Sequence, residues 1–115
     1  PKRRSSPEAK LVLLDNCLPV KLRERIPGHT AETAVYRGWA ALENGALVAA
    51  AIDAGFDAVV TIDQGHDFAR AVAGRPIIAI LLPGSQGSRL DDVLPLVEAI
   101  GRALDTALPG AIVRL

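Results

Sequence analysis

Short apolar runs alternate with helical patterns along this chain, and the alternation predicts its secondary structure. Apolar runs of strand length occupy residues 11–14, 58–62 and 77–82, with Thr61 as their one polar residue. A weaker run rich in β-branched residues lies at 29–35, and a last strand that includes Arg114 is expected at 111–115. Strands without polar alternation are typical of parallel sheets whose two faces are both covered by helices. The pattern therefore predicts a buried, mainly parallel sheet of four to five strands.

Helical patterns fill the segments between the predicted strands. The clearest helix is expected at residues 45–54, with Asn44 as its N-cap and Gly55 as the residue that ends it. Other helical segments are expected at 19–26, 67–73 and 90–104, and Pro95 either kinks the last one or marks its start. Strict alternation of strands and helices predicts one three-layer α/β/α domain of the Rossmann type over residues 10–115.

Residues 1–9 show no apolar periodicity. They carry Lys2, Arg3 and Arg4 together with two serines and two prolines, which is typical of a flexible basic tail. We therefore expect the folded domain to begin at residue 10, and we favour a solvated end over an RNA-binding arm.

Composition narrows the class of protein. The chain has 115 residues, of which 50% are hydrophobic, and its 13 basic and 13 acidic side chains balance. This balance gives no domain-wide attraction to nucleic acid or to an anionic membrane, so binding of either needs a local patch. Cys17 is the single cysteine, which fits a reducing cytoplasm, and no apolar run approaches the ~20 residues of a membrane helix.

Two carboxylates follow two of the predicted strands. Asp15 comes directly after the first strand, and Asp63 comes after the strand at 58–62. Because parallel strands end at the same edge of a sheet, we expect the two side chains to lie close together. Carboxylate oxygens suit Mg²⁺, or alternatively Mn²⁺, and such an ion activates water and stabilises charge on a phosphodiester. The open alternative is that each aspartate only caps the following turn or helix.

Several motifs resemble a known family when they are taken together and in order. The chain resembles small bacterial PIN-like proteins related to the VapC-type toxins. The resemblance covers roughly residues 11–82. It rests on Leu13-Leu14-Asp15-Asn16-x-Leu18-Pro19, Pro27-Gly28-His29, Gly38-Trp39-x-x-Leu42-x-Asn44-Gly45-x-Leu47 and Ala54-Gly55-Phe56-Asp57-x-Val59-Val60-Thr61-x-Asp63-Gln64.

This resemblance implies a fold, an activity and a set of partners. The fold would be a PIN-like Rossmann-type domain, and the activity would be Mg²⁺-dependent cleavage of RNA by the toxin of a toxin–antitoxin pair. A small DNA-binding antitoxin would then be a partner. Independently of the resemblance, the apolar pattern of the closing helix leaves two alternatives open: the helix lies wholly in the core, or it lies partly at a homodimer interface. By position, Asp15 and Asp63 would be the carboxylates that bind the metal.

The chain departs from the family pattern at two places. Asn44 stands where many relatives have an acid at the start of the middle helix, and Glu43 precedes it. After Asp63, the chain continues with Gly65-His66-Asp67-Phe68 in place of apolar and amide residues. We therefore expect Asn44, Glu43 and Asp67 to complete the metal site. The loss of an acid at Asn44 also supports a rival hypothesis, a catalytically inactive PIN-like module that binds protein or RNA.

Four further residues are expected to contact substrate, namely Asn16, Gln64, Arg37 and Trp39. Arginine contacts to phosphate supply most nonspecific affinity for RNA, and an aromatic ring can stack on a base. For Trp39 the alternative is that the ring anchors its loop onto the core. Cys17 and Arg23 have the spacing of a cysteine phosphatase loop, but Pro19 has no N–H to donate to a phosphate.

Overall fold

Five strands form one parallel sheet. A computed structural model describes residues 9–62, 66–84, 87 and 89–115, with only the backbone of residues 66 and 67. Its strands are β1 (Leu11–Leu14), β2 (Thr30–Thr33), β3 (Ala58–Thr61), β4 (Ile78–Leu81) and β5 (Ile112–Arg114). They lie in the order β2-β1-β3-β4-β5, and every neighbouring pair is parallel. The predicted α/β class and the parallel sheet are confirmed.

Helices cover both faces of the sheet. They are the 3₁₀ helix η1 (Val20–Glu24), then α1 (Asn44–Asp53), α2 (His66–Val72), α3 (Leu90–Val93), the 3₁₀ helix η2 (Leu94–Leu96) and α4 (Val97–Thr106). Side chains of α1 and α2 share one core cluster, and side chains of η1, α3 and α4 share the other. The sheet lies between the two clusters, which makes the three layers.

Alternation along each strand divides the core between the two faces. In β1, Leu11 and Leu13 belong to the cluster of α1 and α2, whereas Val12 and Leu14 belong to the cluster on the opposite face. Successive side chains of a strand point to opposite faces, so a strand buried on both faces must be apolar throughout. The continuous apolar runs of the sequence follow from this arrangement.

The start of α1 differs from the prediction by one residue. Asn44 is the first helical residue, and Glu43 is the N-cap, with an extended backbone at φ −83° and ψ 171°. The Glu43 carbonyl accepts the first helical hydrogen bond, from the Leu47 N–H at 2.7 Å. The prediction of Asn44 as N-cap was wrong because this backbone bond sets the boundary, and no cap bond is made by the Glu43 side chain. Gly55 follows the C-cap with φ +89°, as predicted.

Pro95 divides the closing helical segment. The segment predicted at 90–104 consists of α3, η2 and α4 in succession, with Pro95 inside the 3₁₀ turn. Proline has no N–H for the bond to the carbonyl four residues earlier, which explains the interruption. Glu98 and Arg102 lie on the exposed face of α4 at the spacing of one helical turn, with 4.0 Å between Oε1 and Nη1.

A buried histidine joins the opposite, amino-terminal edge of the sheet to α4. The Lys10 N–H donates to His29 Nδ1 at 2.9 Å, and His29 Nε2 lies 2.8 Å from Asp105 Oδ1. Because Nδ1 accepts a hydrogen bond, Nε2 carries the proton and donates it to the carboxylate. The imidazole is only 1% exposed. His29, one of the residues that carry the family resemblance, therefore holds β1, β2 and α4 together.

Two further predictions concern the basic N-terminal tail and membrane-spanning helices. The basic tail lies almost wholly outside the described residues, which begin at Ala9. Within the described part of the chain, no helix is long and apolar enough to cross a membrane.

Candidate functional site

The carboxyl ends of β1 and β3 form the central crevice of the sheet edge. The chain moves from β1 to β2 on one side and then returns to place β3 on the other side of β1. Such a change of direction leaves a crevice where open α/β sheets bind their ligands. Asp15 follows β1 directly, and its N–H donates to the Val60 carbonyl at 3.0 Å. The structure therefore places Asp15 at the edge that the sequence predicts.

Hydrogen bonds fix the orientation of the Asp15 carboxylate. Thr61, the last residue of β3, donates its hydroxyl to Asp15 Oδ2 at 2.7 Å, and the Asn16 N–H donates to Oδ1 at 2.7 Å. Thr61 is fully buried and Asp15 is half-buried. Each carboxylate oxygen can accept about two hydrogen bonds or metal contacts. With these two bonds in place, both oxygens can therefore still take a cation as ligand.

Asn16 connects this crevice to the loop before α1. Its side-chain amide donates to the Ala40 carbonyl at 2.7 Å, although the residue itself is exposed. The bond holds the loop against the end of β1. Asn16 was predicted to contact substrate, and that role stays a prediction beside the structural one described here.

A cleft opens at the first turn of α1. It has a volume of about 560 Å³ and is lined by Glu43, Asn44, Gly45, Arg70 and Ala71. In parallel β-α units, the helix that follows a strand starts at the carboxyl edge of the sheet, so this cleft and Asp15 share that edge. Glu43 and Asn44, both predicted to complete the metal site, therefore face a common space.

Arg37 and Trp39 form a packed cluster with Phe56. The Arg37 Nε donates to Glu32 Oε1 at 2.7 Å, and its guanidinium lies 4.9 Å from the Phe56 ring centroid and 5.4 Å from that of Trp39. The two aromatic rings meet edge to face, with centroids 6.0 Å apart. These contacts support the alternative that Trp39 anchors its loop. Substrate contacts by Arg37 and Trp39 stay predictions.

Three predicted site residues cannot be placed beside Asp15. Asp63 and Gln64 lie outside the described residues. Asp67 lies in α2, but the structure describes only its backbone. Among the side chains that the structure describes, no group of three or more histidine, cysteine, aspartate or glutamate residues could hold a metal ion. Of the two carboxylates predicted to be the principal metal ligands, Asp15 and Asp63, Asp15 is the one that lies among the described residues.

Cys17 lies in the same crevice and has a poorly ionised thiol. Its Sγ atom lies 3.7 Å from Thr61 Oγ1. Burial is the largest effect and raises the pKa of the Cys17 thiol, hydrogen bonds from Ile62 and Thr61 lower it by less, and the Asp15 carboxylate adds a smaller increase. The thiolate is the reactive form, so this environment lowers the reactivity of Cys17.

We expect iodoacetamide to alkylate Cys17 in the folded protein more slowly than it alkylates a free cysteine at pH 8. A raised pKa means that the thiolate fraction grows only at higher pH, so the rate should still be rising above pH 9. Mass spectrometry of timed samples measures the rate, and the unfolded protein in guanidinium is the control. Faster alkylation of the folded protein than of the unfolded protein would contradict a raised pKa of the Cys17 thiol.

Thr61 is a residue of the crevice that sequence reasoning missed. The one signal in the sequence is a hydroxyl at the end of an otherwise apolar strand, and β-branched threonine is common in strands for reasons of packing alone. The contact with Asp15 joins residues 46 positions apart. The register of the sheet was needed to find it.

The Thr61→Val variant tests whether Thr61 orients Asp15. Valine keeps the shape of the side chain and removes the hydrogen bond, so any divalent-cation affinity of Asp15 should fall about 10- to 100-fold, as for other partners of metal ligands. Calorimetric titration with Mg²⁺ measures the change. Thr61→Ser keeps the hydroxyl and should retain the affinity of the wild type. Equal loss in both variants would show that packing, and not the hydrogen bond, matters.

Comparison of the chain with protein-family models, with curated proteins and with solved structures finds no match.

Proposed function

We propose that this protein is a metal-dependent endoribonuclease of the PIN-like type. One observation carries the proposal: the Asp15 carboxylate, at the end of β1, is held by the Thr61 hydroxyl, at the end of β3, across the central crevice. Asp63 follows Thr61 by two positions in the sequence. The contact between Thr61 and Asp15 therefore supports the proposal that Asp15, from the end of β1, and Asp63, from the end of β3, act as a pair of metal ligands.

The donor atoms of this pair fit Mg²⁺ or Mn²⁺. These ions prefer carboxylate oxygens, and Mg²⁺ is commonly bound through one or two carboxylates together with waters and substrate phosphates. Asp15 and Asp63 would be the principal ligands, and Asn44, Glu43 and Asp67 are the candidates for further contacts. When bound, the ion supplies activation of a water molecule and neutralisation of charge on the phosphodiester.

Residues of the chain itself keep the site ordered. The Thr61 hydroxyl and the Asn16 N–H hold the Asp15 carboxylate in one orientation, which lowers the cost of organising the site. In the proposed hydrolysis, a water molecule would attack phosphorus in line with the scissile P–O bond. The new P–O bond would form as the bond to the leaving oxygen breaks, and the proton that the water loses would balance the one that the leaving oxygen takes up.

A catalytically inactive PIN-like module that binds protein or RNA is the second candidate. Asn44 favours it, because an amide in place of a carboxylate contributes no charge to a metal site. For the nuclease, the biological setting that we propose is a bacterial toxin–antitoxin pair in the cytoplasm, with a small DNA-binding antitoxin as partner. A homodimer is a further proposal for the assembly.

Cleavage of RNA with and without metal separates the two candidates. The nuclease should cut mixed RNA in Mg²⁺ and should be inactive in excess EDTA, and Asp63→Asn should remove the activity. Asp53→Asn is the matched control, because Asp53 is exposed at the end of α1, on the far side from the carboxyl edge. Binding of RNA without cleavage in either condition would favour the inactive module.

A further inference from the structure

A second cleft lies beside the edge strand β2. Its volume is about 380 Å³, and it is lined by Val20, Arg23, Glu32, Thr33 and Tyr36. Tyr36 is 79% exposed and Val20 is 50% exposed, so an aromatic ring and an aliphatic side chain both stand in solvent here. Large exposed apolar groups that lie together mark binding surfaces more often than single ones do.

Positive charge adjoins this cleft. Lys21, Arg23 and Arg25 are all exposed on η1 and at its C-cap, and Glu24 is the single acid among them. Leu22, in the same segment, is fully buried, which fixes this short helix against the core. The Arg23 guanidinium lies 3.8 Å from Glu24, an exposed contact that costs little to break.

The acid that lines the cleft is already paired. Glu32 accepts a hydrogen bond from Arg37 at 2.7 Å, and both side chains are about one-third exposed. Its charge is therefore largely neutralised within the protein. The cleft and the adjoining η1 consequently present an exposed aromatic ring beside a net positive charge, although the chain as a whole is neutral.

The cleft is next to Asp15 along the sheet edge. Thr33 pairs in register with Leu14, the residue before Asp15. Neighbouring strands are about 4.8 Å apart, so the backbone that forms the cleft lies one strand away from the proposed catalytic crevice. A polynucleotide strand that reached Asp15 could extend directly over Tyr36.

We propose that this cleft binds single-stranded RNA, with a base stacked on Tyr36 and a backbone phosphate paired with Arg23. Single-strand binding sites combine a positively charged track with aromatic rings, because every base has a face that can stack. The inference rests on the proposed function for its choice of RNA, and it adds where the substrate lies beyond the metal site. Tyr36 was not among the predicted substrate contacts.

Fluorescence anisotropy with a short labelled oligouridylate tests the cleft. The measurements are made in EDTA, so that binding is followed without cleavage. Tyr36→Ala should raise the Kd by about 5- to 150-fold, the range for loss of one stacked base, whereas Tyr36→Phe should bind as the wild type does. Arg23→Gln should lower the slope of log Kd against log salt by about 0.7, the value for one phosphate contact on a single strand.

The matched control is Arg102→Gln. Arg102 is exposed on α4 and adjoins an acid, as Arg23 does, but it is not among the residues that line the cleft. It should leave both the Kd and the salt slope unchanged. Equal effects of Arg23→Gln and Arg102→Gln would contradict a local site, and tighter binding of the matched oligodeoxythymidylate would contradict RNA as the ligand.

Failure of this inference is distinguishable from failure of the nuclease. An unchanged Kd in Tyr36→Ala, together with Mg²⁺-dependent cleavage by the wild type, would contradict RNA binding at the cleft and would still support the nuclease. Binding that depends on Tyr36 and Arg23, without any cleavage in Mg²⁺, would support the cleft and overturn the nuclease. A wild type that binds no single-stranded RNA overturns the cleft, whatever the cleavage assay shows.

Discussion

Replacing Asp15 with asparagine is expected to lower the rate of RNA cleavage in Mg²⁺ by at least about 100-fold. Removal of a residue that only supports a metal ligand costs 10- to 100-fold, and removal of the ligand itself should cost more. The variant loses the charge that attracts the cation and keeps the size of the side chain. A cleavage assay with single-turnover kinetics measures the rate.

The fold should survive this substitution. The asparagine side chain can still form a hydrogen bond with Thr61. The Thr61 hydroxyl can either donate to the amide oxygen or rotate to accept from the amide N–H. The thermal midpoint of Asp15→Asn should therefore stay close to that of the wild type. Asp53→Asn carries the same change of charge at an exposed position and should keep full activity. A folded Asp15→Asn protein that cleaves at the rate of the wild type would refute the assignment of Asp15 as a metal ligand.

Replacing Phe68 with alanine is expected to lower the free energy of unfolding by about 3–5 kcal/mol. Phe68 lies in α2 and is fully buried in the cluster that joins α1 and α2 to the sheet. Alanine leaves a cavity that neighbouring side chains can fill only in part. Equilibrium denaturation in urea measures the change, and a cost of this size is a large fraction of the stability of a small domain.

Phe68→Leu is the control for this prediction. Leucine keeps most of the apolar volume, so the loss should be clearly smaller than in Phe68→Ala. Because Phe68 holds α2 against the sheet, hydrogen exchange in α2 should also be faster in Phe68→Ala than in the wild type. A change in the free energy of unfolding below about 1 kcal/mol would show that Phe68 is less important to the core than its burial indicates.

Much of the fold is predictable from the sequence because the sheet is buried on both faces. The runs at β1, β3 and β4 contain almost no polar residue, and a parallel sheet covered by helices requires this. The same logic places Asp15 correctly, since the residue after a strand in a parallel sheet lies at the carboxyl edge. Boundaries are less predictable, and the first residue of α1 shows why: a backbone hydrogen bond decides it.

Contacts between distant residues are what the sequence does not predict. Thr61 and Asp15 are 46 positions apart, and His29 and Asp105 are 76 positions apart. No local pattern of polar and apolar residues records such pairs, because they depend on the order and register of the strands. The proposed role of Tyr36 in RNA binding was not predicted for a related reason. Tyr36 follows the edge strand β2, whose hydrophobic pattern is weak and does not indicate which of its neighbours are exposed.

Direct titration with a divalent cation tests the central claim most closely. Isothermal calorimetry with Mg²⁺ and then Mn²⁺ would compare the wild type with Asp15→Asn, Asp63→Asn and Asp53→Asn. We predict binding in the wild type and in Asp53→Asn, and its loss in the other two variants. Equal binding in all four proteins, or no binding in a folded wild type, would contradict a metal site at the ends of β1 and β3.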